Sequence, residues 1–222
     1  MRKLILQASR SFIIGVVAFG VVLFPAAGTL RYWQGWVFAV VFNGAANVLG
    51  IYLTLTDPAL LARRMNMKET RPRQRAFGPL VLLVSIALLV CCALDYRFGW
   101  SKMPPAVWLV GNALLLLSLL GHIFVFRENT YGGTTIRVVE GQHVITTGPY
   151  AIVRHPMYTL VLLMLIAIPL ALGSWWGLAF LPLYLAGLVW RILDEEKMLE
   201  EELPGYREYE QQVRWRLVPA VW

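Results

Sequence analysis

Long uncharged apolar runs, separated by small clusters of arginine and lysine, restrict the fold of this chain before any motif is considered. Residues 11–30, 36–56, 77–94 and 106–126 contain no Asp, Glu, Lys or Arg. Each approaches or reaches the length of about 20 residues that crosses a bilayer as a helix. A helix satisfies its own backbone polar groups in lipid, so such runs predict helices rather than open strands. Hydrophobic residues make up 58% of the 222 and charged residues only 15%, against about 45–50% and 25% in soluble domains. Lipid must absorb that excess. The expected class is an all-α, multi-pass transmembrane bundle.

Two further runs, 158–172 and 175–193, are separated only by Gly173 and Ser174. The first is short for a full crossing, and the pair predicts a tight C-terminal helical hairpin after the four spans. Trp33, Trp36, Trp100, Trp108, Trp175 and Trp176 lie near run ends, where interfacial anchors belong. The opening MRKLILQASR has the basic character of a signal peptide. Its apolar run is at the upper limit for one and further spans follow, so it reads as a retained first helix.

The basic residues set an expected orientation. Arg2, Lys3 and Arg10 precede the first span, and Arg63, Arg64, Lys68, Arg71, Arg73 and Arg75 fill the loop after the second. The alternate loops carry Arg31, then Arg97 and Lys102. The positive-inside rule places both termini, the 57–76 loop and residues 127–157 in the cytoplasm. The net charge of +7 is thereby assigned to orientation and to contact with membrane lipids, and nucleic acid is not an expected partner. Cys91 and Cys92 are adjacent in an apolar run; neighbours on a helix point apart, so they read as packing. The chain divides into N-terminal transmembrane helices, 1–126, and a C-terminal core, 127–222, holding a loop, the hairpin and a tail.

Polar chemistry concentrates at both ends of the hairpin. The stretch TTGPYAIVRHPMY covers residues 146–158. The residue before a proline is biased away from helix and proline suits the first helical position, so a helix is expected to start at Pro156. Arg154 and His155 then stand at its N-terminus, where free amides and the helix dipole favour an anionic group. At the other end, WRILDEEKMLEEE places Arg191 and Glu195 on one helical face at the water boundary. An exposed ion pair is one reading. A pair that receives ligand groups, Arg191 a carboxylate and Glu195 an amine or hydroxyls, is the other. His122, Arg127 and Glu128 read as a helix-end network. The tail YREYEQQVRWRLVP, with Tyr206, Tyr209, Arg214 and Arg216, reads as a basic aromatic segment on the membrane face. Neither a dinucleotide fingerprint, a phosphate loop nor a metal motif is present, and no metal site is expected.

TTGPY-x3-RHPMY, the hairpin, R-x3-E and the Y-x2-Y-x3-V tail together resemble the isoprenylcysteine carboxyl methyltransferase family, part of a wider group that includes phospholipid N-methyltransferases. The resemblance covers roughly residues 122–219. It implies a multi-pass membrane enzyme that uses S-adenosyl-L-methionine in a pocket open to the cytoplasm, with a lateral route to lipid. It further implies that Thr135, Gln142, His143, Val144, Ile145, Gly148, Tyr150, His155, Pro156, Met157, Tyr158 and Glu195 bind the cofactor. Arg191 and Arg154 would serve the reaction, Arg191 facing a substrate carboxylate. The spacing from Glu195 to Tyr206 differs by one from eukaryotic relatives, leaving Asp194 and Glu196 as alternative acids. The implied activity is carboxyl O-methylation of a lipid-linked acceptor such as a prenylated peptide, in a membrane of bacterial inner-membrane type. Lipid N-methylation is the alternative. A sterol-type reductase using NADPH is the reading from another class, since such enzymes carry a comparable R-H-P-x-Y element.

Overall fold

The computed structural model describes residues 2–65 and 74–222, with side chains from residue 4 onward. Lys68, Arg71 and Arg73 of the basic loop, and the side chains of Arg2 and Lys3, lie outside the described residues. Four long helices come first: α1 (Arg2–Ala27), α2 (Trp33–Thr56), α4 (Phe77–Phe98) and α5 (Pro105–Glu128), with the short α3 (Pro58–Met65) after α2. The hairpin follows as α6 (Pro156–Ala171) and α7 (Leu181–Glu202), and α8 (Tyr206–Gln212) leads into the tail. Among the described residues the regular structure is entirely helical, and five helices are long and apolar enough to cross a membrane. The fifth is the second arm of the hairpin, Trp176–Glu202, while α6 is shorter. The protein is an integral membrane helical bundle.

Two boundaries differ from expectation. The apolar run ending at 193 continues as helix to Glu202, because the Glu, Lys, Met and Leu of that segment are strong helix formers. The loop expected over 57–76 opens with α3, where the side chain of Asp57 accepts a hydrogen bond from the Leu60 amide at 2.8 Å and so caps the turn.

Helix α5 is central, packing against α6 on one side and α2 on another, while α1 lies against α2 and α4. The core joins Leu23, Phe38, Leu88, Leu115 and Leu172. At the face opposite the basic loop, buried Asp95 accepts from the amide and hydroxyl of Ser101, both at 2.6 Å, and from the Ser174 hydroxyl. A buried carboxylate needs such donors, and the bond from Ser174 ties the end of α4 to the hairpin tip. The α6–α7 ends that carry the polar clusters are thereby brought back to the basic face together.

Candidate active site

His155 has non-helical backbone angles (φ −124°, ψ 61°) and caps α6, and Pro156 takes the first helical position. The amide of His155 is claimed by the tail. Arg154 and His155 donate their backbone N–H groups to the carbonyls of Trp215 and Arg216 at 2.8 and 2.9 Å, and the Thr159 hydroxyl reaches the Leu217 carbonyl at 2.7 Å. The tail therefore straps the entrance of α6 instead of lying loose on the membrane face.

Three consecutive acids on α7 point to three different settings. Asp194 accepts from Gln74 at 3.0 Å. Glu196, 3% exposed, receives Arg154 Nε at 2.8 Å, His155 Nε2 at 3.1 Å and Arg216 Nε at 2.7 Å. Glu195 accepts the Tyr158 hydroxyl at 2.6 Å and is the member of the three that lines a cup-shaped cavity at the basic face. The same Tyr158 hydroxyl accepts from Arg191 Nε at 3.0 Å. Arg191 is also held by the Thr134 carbonyl at 2.7 Å and lies over the Phe77 ring at 4.7 Å. His155 stacks on Tyr158 with ring centroids 5.6 Å apart. The two polar clusters converge, with Tyr158 between them.

The cup holds about 850 Å³ of atom-free space, its open mouth included. Thr135, Gln142, His143, Val144, Ile145, Tyr150, Arg154, His155, Met157, Tyr158, Arg191 and Glu195 all line it. Gly148 and Pro156 stand outside that lining. Gly148 has φ +55°, and a Cβ there would come within 2.7 Å of Glu128 Cγ; its place is set by close approach to α5. Gln142 spends its side-chain oxygen on the Val139 amide at 3.0 Å, holding the loop shape. Arg154 was expected to meet an anionic ligand, but its guanidinium is turned to Glu196, to Glu210 at 3.3 Å and to the Val213 carbonyl at 3.1 Å.

Sequence reasoning missed part of the wall. Tyr206 and Tyr209, read as a membrane-face tail, are 4% and 3% exposed and line the cup beside Met198, Leu199 and Leu203. Tyr209 is committed to the Tyr150 carbonyl at 2.7 Å. Among the described residues the buried Tyr206 hydroxyl has no hydrogen-bond partner. Burial raises the phenols of Tyr150, Tyr206 and Tyr209 above their ordinary pKa. Tyr131, also in the lining, bonds His143 Nδ1 at 3.0 Å. The Y-x2-Y pattern carried the signal, since two tyrosines three apart share one helical face.

A second, apolar cavity of about 1470 Å³, measured in the same way, lies among α1, α2, α4, α6 and α7. Its lining residues Leu80, Leu183 and Trp190 are 48%, 52% and 41% exposed, so it reaches the outer surface between α4 and α7. Gly133, Met157, Tyr158 and Arg191 line both cavities. A polar cup and an apolar chamber thus share one thin wall.

The phospholipid methyltransferase family model matches residues 107–204, the segment that contributes α5, the cup loop and both arms of the hairpin. The uncharacterized protein YpbQ of Bacillus subtilis is 31% identical over 122 residues, which is 54% of this chain and 73% of that protein. The cobalt-zinc-cadmium resistance protein CzcN of Cupriavidus metallidurans is 28% identical over 159 residues, 69% of this chain and 67% of the relative. No solved structure matches the chain. With its helical membrane bundle, the chain belongs to the wider family of membrane phospholipid and isoprenylcysteine methyltransferases.

Proposed function

We propose that the protein transfers a methyl group from S-adenosyl-L-methionine to the carboxylate of a lipid-linked acceptor, such as a prenylated cysteine, at the cytoplasmic face of the membrane. One observation carries this reading: Tyr158 bonds Glu195 in the cup and Arg191 at the apolar chamber through a single hydroxyl. A polar donor and a lipidic acceptor need two compartments that meet at one point.

The cup suits this donor on its own chemistry. Glu195 offers a carboxylate to an ammonium or a ribose diol, and the orphaned Tyr206 hydroxyl offers a partner to a further polar group. Met198, Leu199, Leu203, Val144 and Ile145 give an apolar slot of the kind a nucleobase fills. In this reading residues 127–222 are the methyltransferase core, and the N-terminal helices supply walls of the acceptor chamber.

The bound donor supplies an electrophilic methyl on a sulfonium. The chain has to orient the acceptor and exclude water. Arg191 orients a carboxylate, and Tyr158 with Thr134 fixes the direction of its guanidinium. A carboxylate with a pKa near about 3.5 is already ionised at neutral pH, so no side chain has to remove a proton. Arg154 acts as a positioning residue, holding His155 and the tail through Glu196.

The description of the matching family, phospholipid methyltransferase, favours lipid N-methylation as a second reading, in which His155 or an acid would take the amine proton. Thermal shifts in detergent test the donor. S-adenosylhomocysteine is expected to raise the Tm and NADPH to leave it unchanged. The reverse result would defeat the methyl-transfer reading in favour of a reductase.

A further inference from the structure

Arg64, on α3, is half-buried and lines the apolar chamber at the mouth shared with Gly133, Thr134, Met157, Tyr158 and Arg191. Its guanidinium donates to the Gly132 carbonyl at 3.3 Å and to the Met157 sulfur at 3.4 Å, and lies 4.4 Å from the Phe126 ring centroid. None of these partners carries charge. Among the described residues no carboxylate is paired with it, whereas Arg154 pairs with Glu196 and Glu210, and Arg216 with Glu196. Desolvation lowers the Arg64 pKa, opposed only by the Tyr158 and Tyr150 phenols. A cation kept partly out of water without a counter-charge is costly, and an incoming anion removes that cost.

The surroundings indicate where the anion comes from. Arg64 and Arg191 approach the mouth from different helices and are linked through Thr134. Its carbonyl accepts from Arg191 at 2.7 Å, and its hydroxyl reaches the Arg64 carbonyl at 3.4 Å. Behind them lies the apolar chamber, open between α4 and α7. Of the acids near Arg191, Glu195 already receives the Tyr158 hydroxyl, and Asp194 receives Gln74, whose oxygen accepts from Arg191 at 3.4 Å.

We infer that Arg64 is a second headgroup contact for the acceptor, so that two guanidiniums at the chamber mouth select an amphiphile with an anionic carboxylate head and reject one with a protonated amine. This rests on the carboxylate reading above and adds its specificity determinant. Arginine holds a carboxylate through paired N–H donors. Methylation removes the charge from that head, so the ester leaves both guanidiniums more readily than the acid entered.

The test is acceptor binding and turnover by the full-length protein in detergent, with N-acetyl-S-farnesylcysteine and its methyl ester as probes. Wild type is expected to bind the acid roughly tenfold or more tightly than the ester, the scale of one charge-assisted contact. In Arg64→Gln that preference should shrink about tenfold, with KM raised and kcat little changed, while Arg64→Lys recovers part of it. The S-adenosylhomocysteine thermal shift should persist in both variants. An acid preference undiminished in Arg64→Gln, or an equal loss for acid and ester, overturns the role of Arg64 and leaves the proposed function standing. If wild type shows no acid preference, the carboxylate reading itself falls. If phosphatidylglycerol displaces the acid at equal concentration, the arginine pair is a lipid-headgroup site and the acceptor role is overturned.

Discussion

The Tyr158 hydroxyl, in the first turn of α6, donates to Glu195 Oε2 at 2.6 Å, while Arg191 Nε donates to that same oxygen atom of Tyr158 at 3.0 Å. Arg191 and Glu195 are thus joined through a residue of the opposite hairpin arm. The hydroxyl transmits the position of a cup residue to a residue at the acceptor chamber, so loss of either side disturbs the other.

Replacing Tyr158 with Phe removes that oxygen and keeps most of the ring packing against His155. Arg191 Nε and Glu195 Oε2 each lose a hydrogen bond to a charged group. Such bonds are worth about 1.5–3 kcal/mol each. If both matter mainly for orientation, turnover is expected to fall roughly ten- to a hundredfold. S-adenosylhomocysteine affinity should drop less, because Glu195 itself remains. Initial rates beside donor titrations check this; a variant with wild-type turnover would remove Tyr158 from the coupling.

Adjacent acids give a contrast between structure and function. Glu196 is buried under Arg154, His155 and Arg216. Glu196→Gln takes the shared carboxylate from all three partners and leaves Arg154 with its longer pair to Glu210 at 3.3 Å, and breaking a buried pair costs about 3–5 kcal/mol. Detergent-solubilised protein should lose several degrees of Tm. Glu195→Gln, one residue away, keeps that network intact and is expected to hold its Tm while weakening S-adenosylhomocysteine. The opposite pattern would exchange the roles assigned to the two acids.

That contrast also marks what was legible in the sequence. The spans, the hairpin tip at Gly173 and the convergence of the two polar clusters followed from apolar length and proline position, which are local properties. Which of Asp194, Glu195 and Glu196 faces the cup did not follow, since its neighbours Gln74, Tyr158 and Arg154 come from distant parts of the chain. The partners of Arg154 did not follow for the same reason: its acids, Glu196 and Glu210, arrive from α7 and α8. Arg64 looked like one more orientation charge in a basic loop, because its setting depends on α3 folding back against residues 130–134.

Close approach of α5 and α6 underlies the cup and is open to a simple test. A Cβ at Gly111 would lie 2.5 Å from the Ala171 amide nitrogen and 2.6 Å from the Leu170 carbonyl carbon. Those are backbone atoms, which cannot turn aside. Gly111→Ala is expected to destabilise by about 1–3 kcal/mol, the usual cost of overpacking. At Gly121 the nearest atom is the Leu160 Cδ2, at 3.0 Å, the end of a side chain that is free to move. Gly121→Ala should stay near wild type. Thermal unfolding of the two variants side by side checks the difference, and equal Tm values would show that α5 and α6 adjust at both positions.

Acceptor chemistry is readable in the pH profile of kcat/KM. A carboxylate acceptor, with a pKa near about 3.5, is fully ionised between about pH 7 and 9. Burial raises the Tyr150, Tyr206 and Tyr209 phenols, so these cup hydroxyls stay protonated across that window and contribute no titration of their own. The profile is therefore expected to be flat there. An amine acceptor with a lysine-like pKa near about 10.4 is almost wholly protonated in the same window. Its reactive fraction grows tenfold with each pH unit, and kcat/KM should climb in parallel unless a base in the cup relieves it. Single-substrate rates at saturating donor across the window separate the two cases. A slope near one on a logarithmic plot, with a phosphatidylethanolamine acceptor turned over faster than the prenylated acid, would replace O-methylation with N-methylation while leaving the shared wall at Tyr158 as the point of transfer.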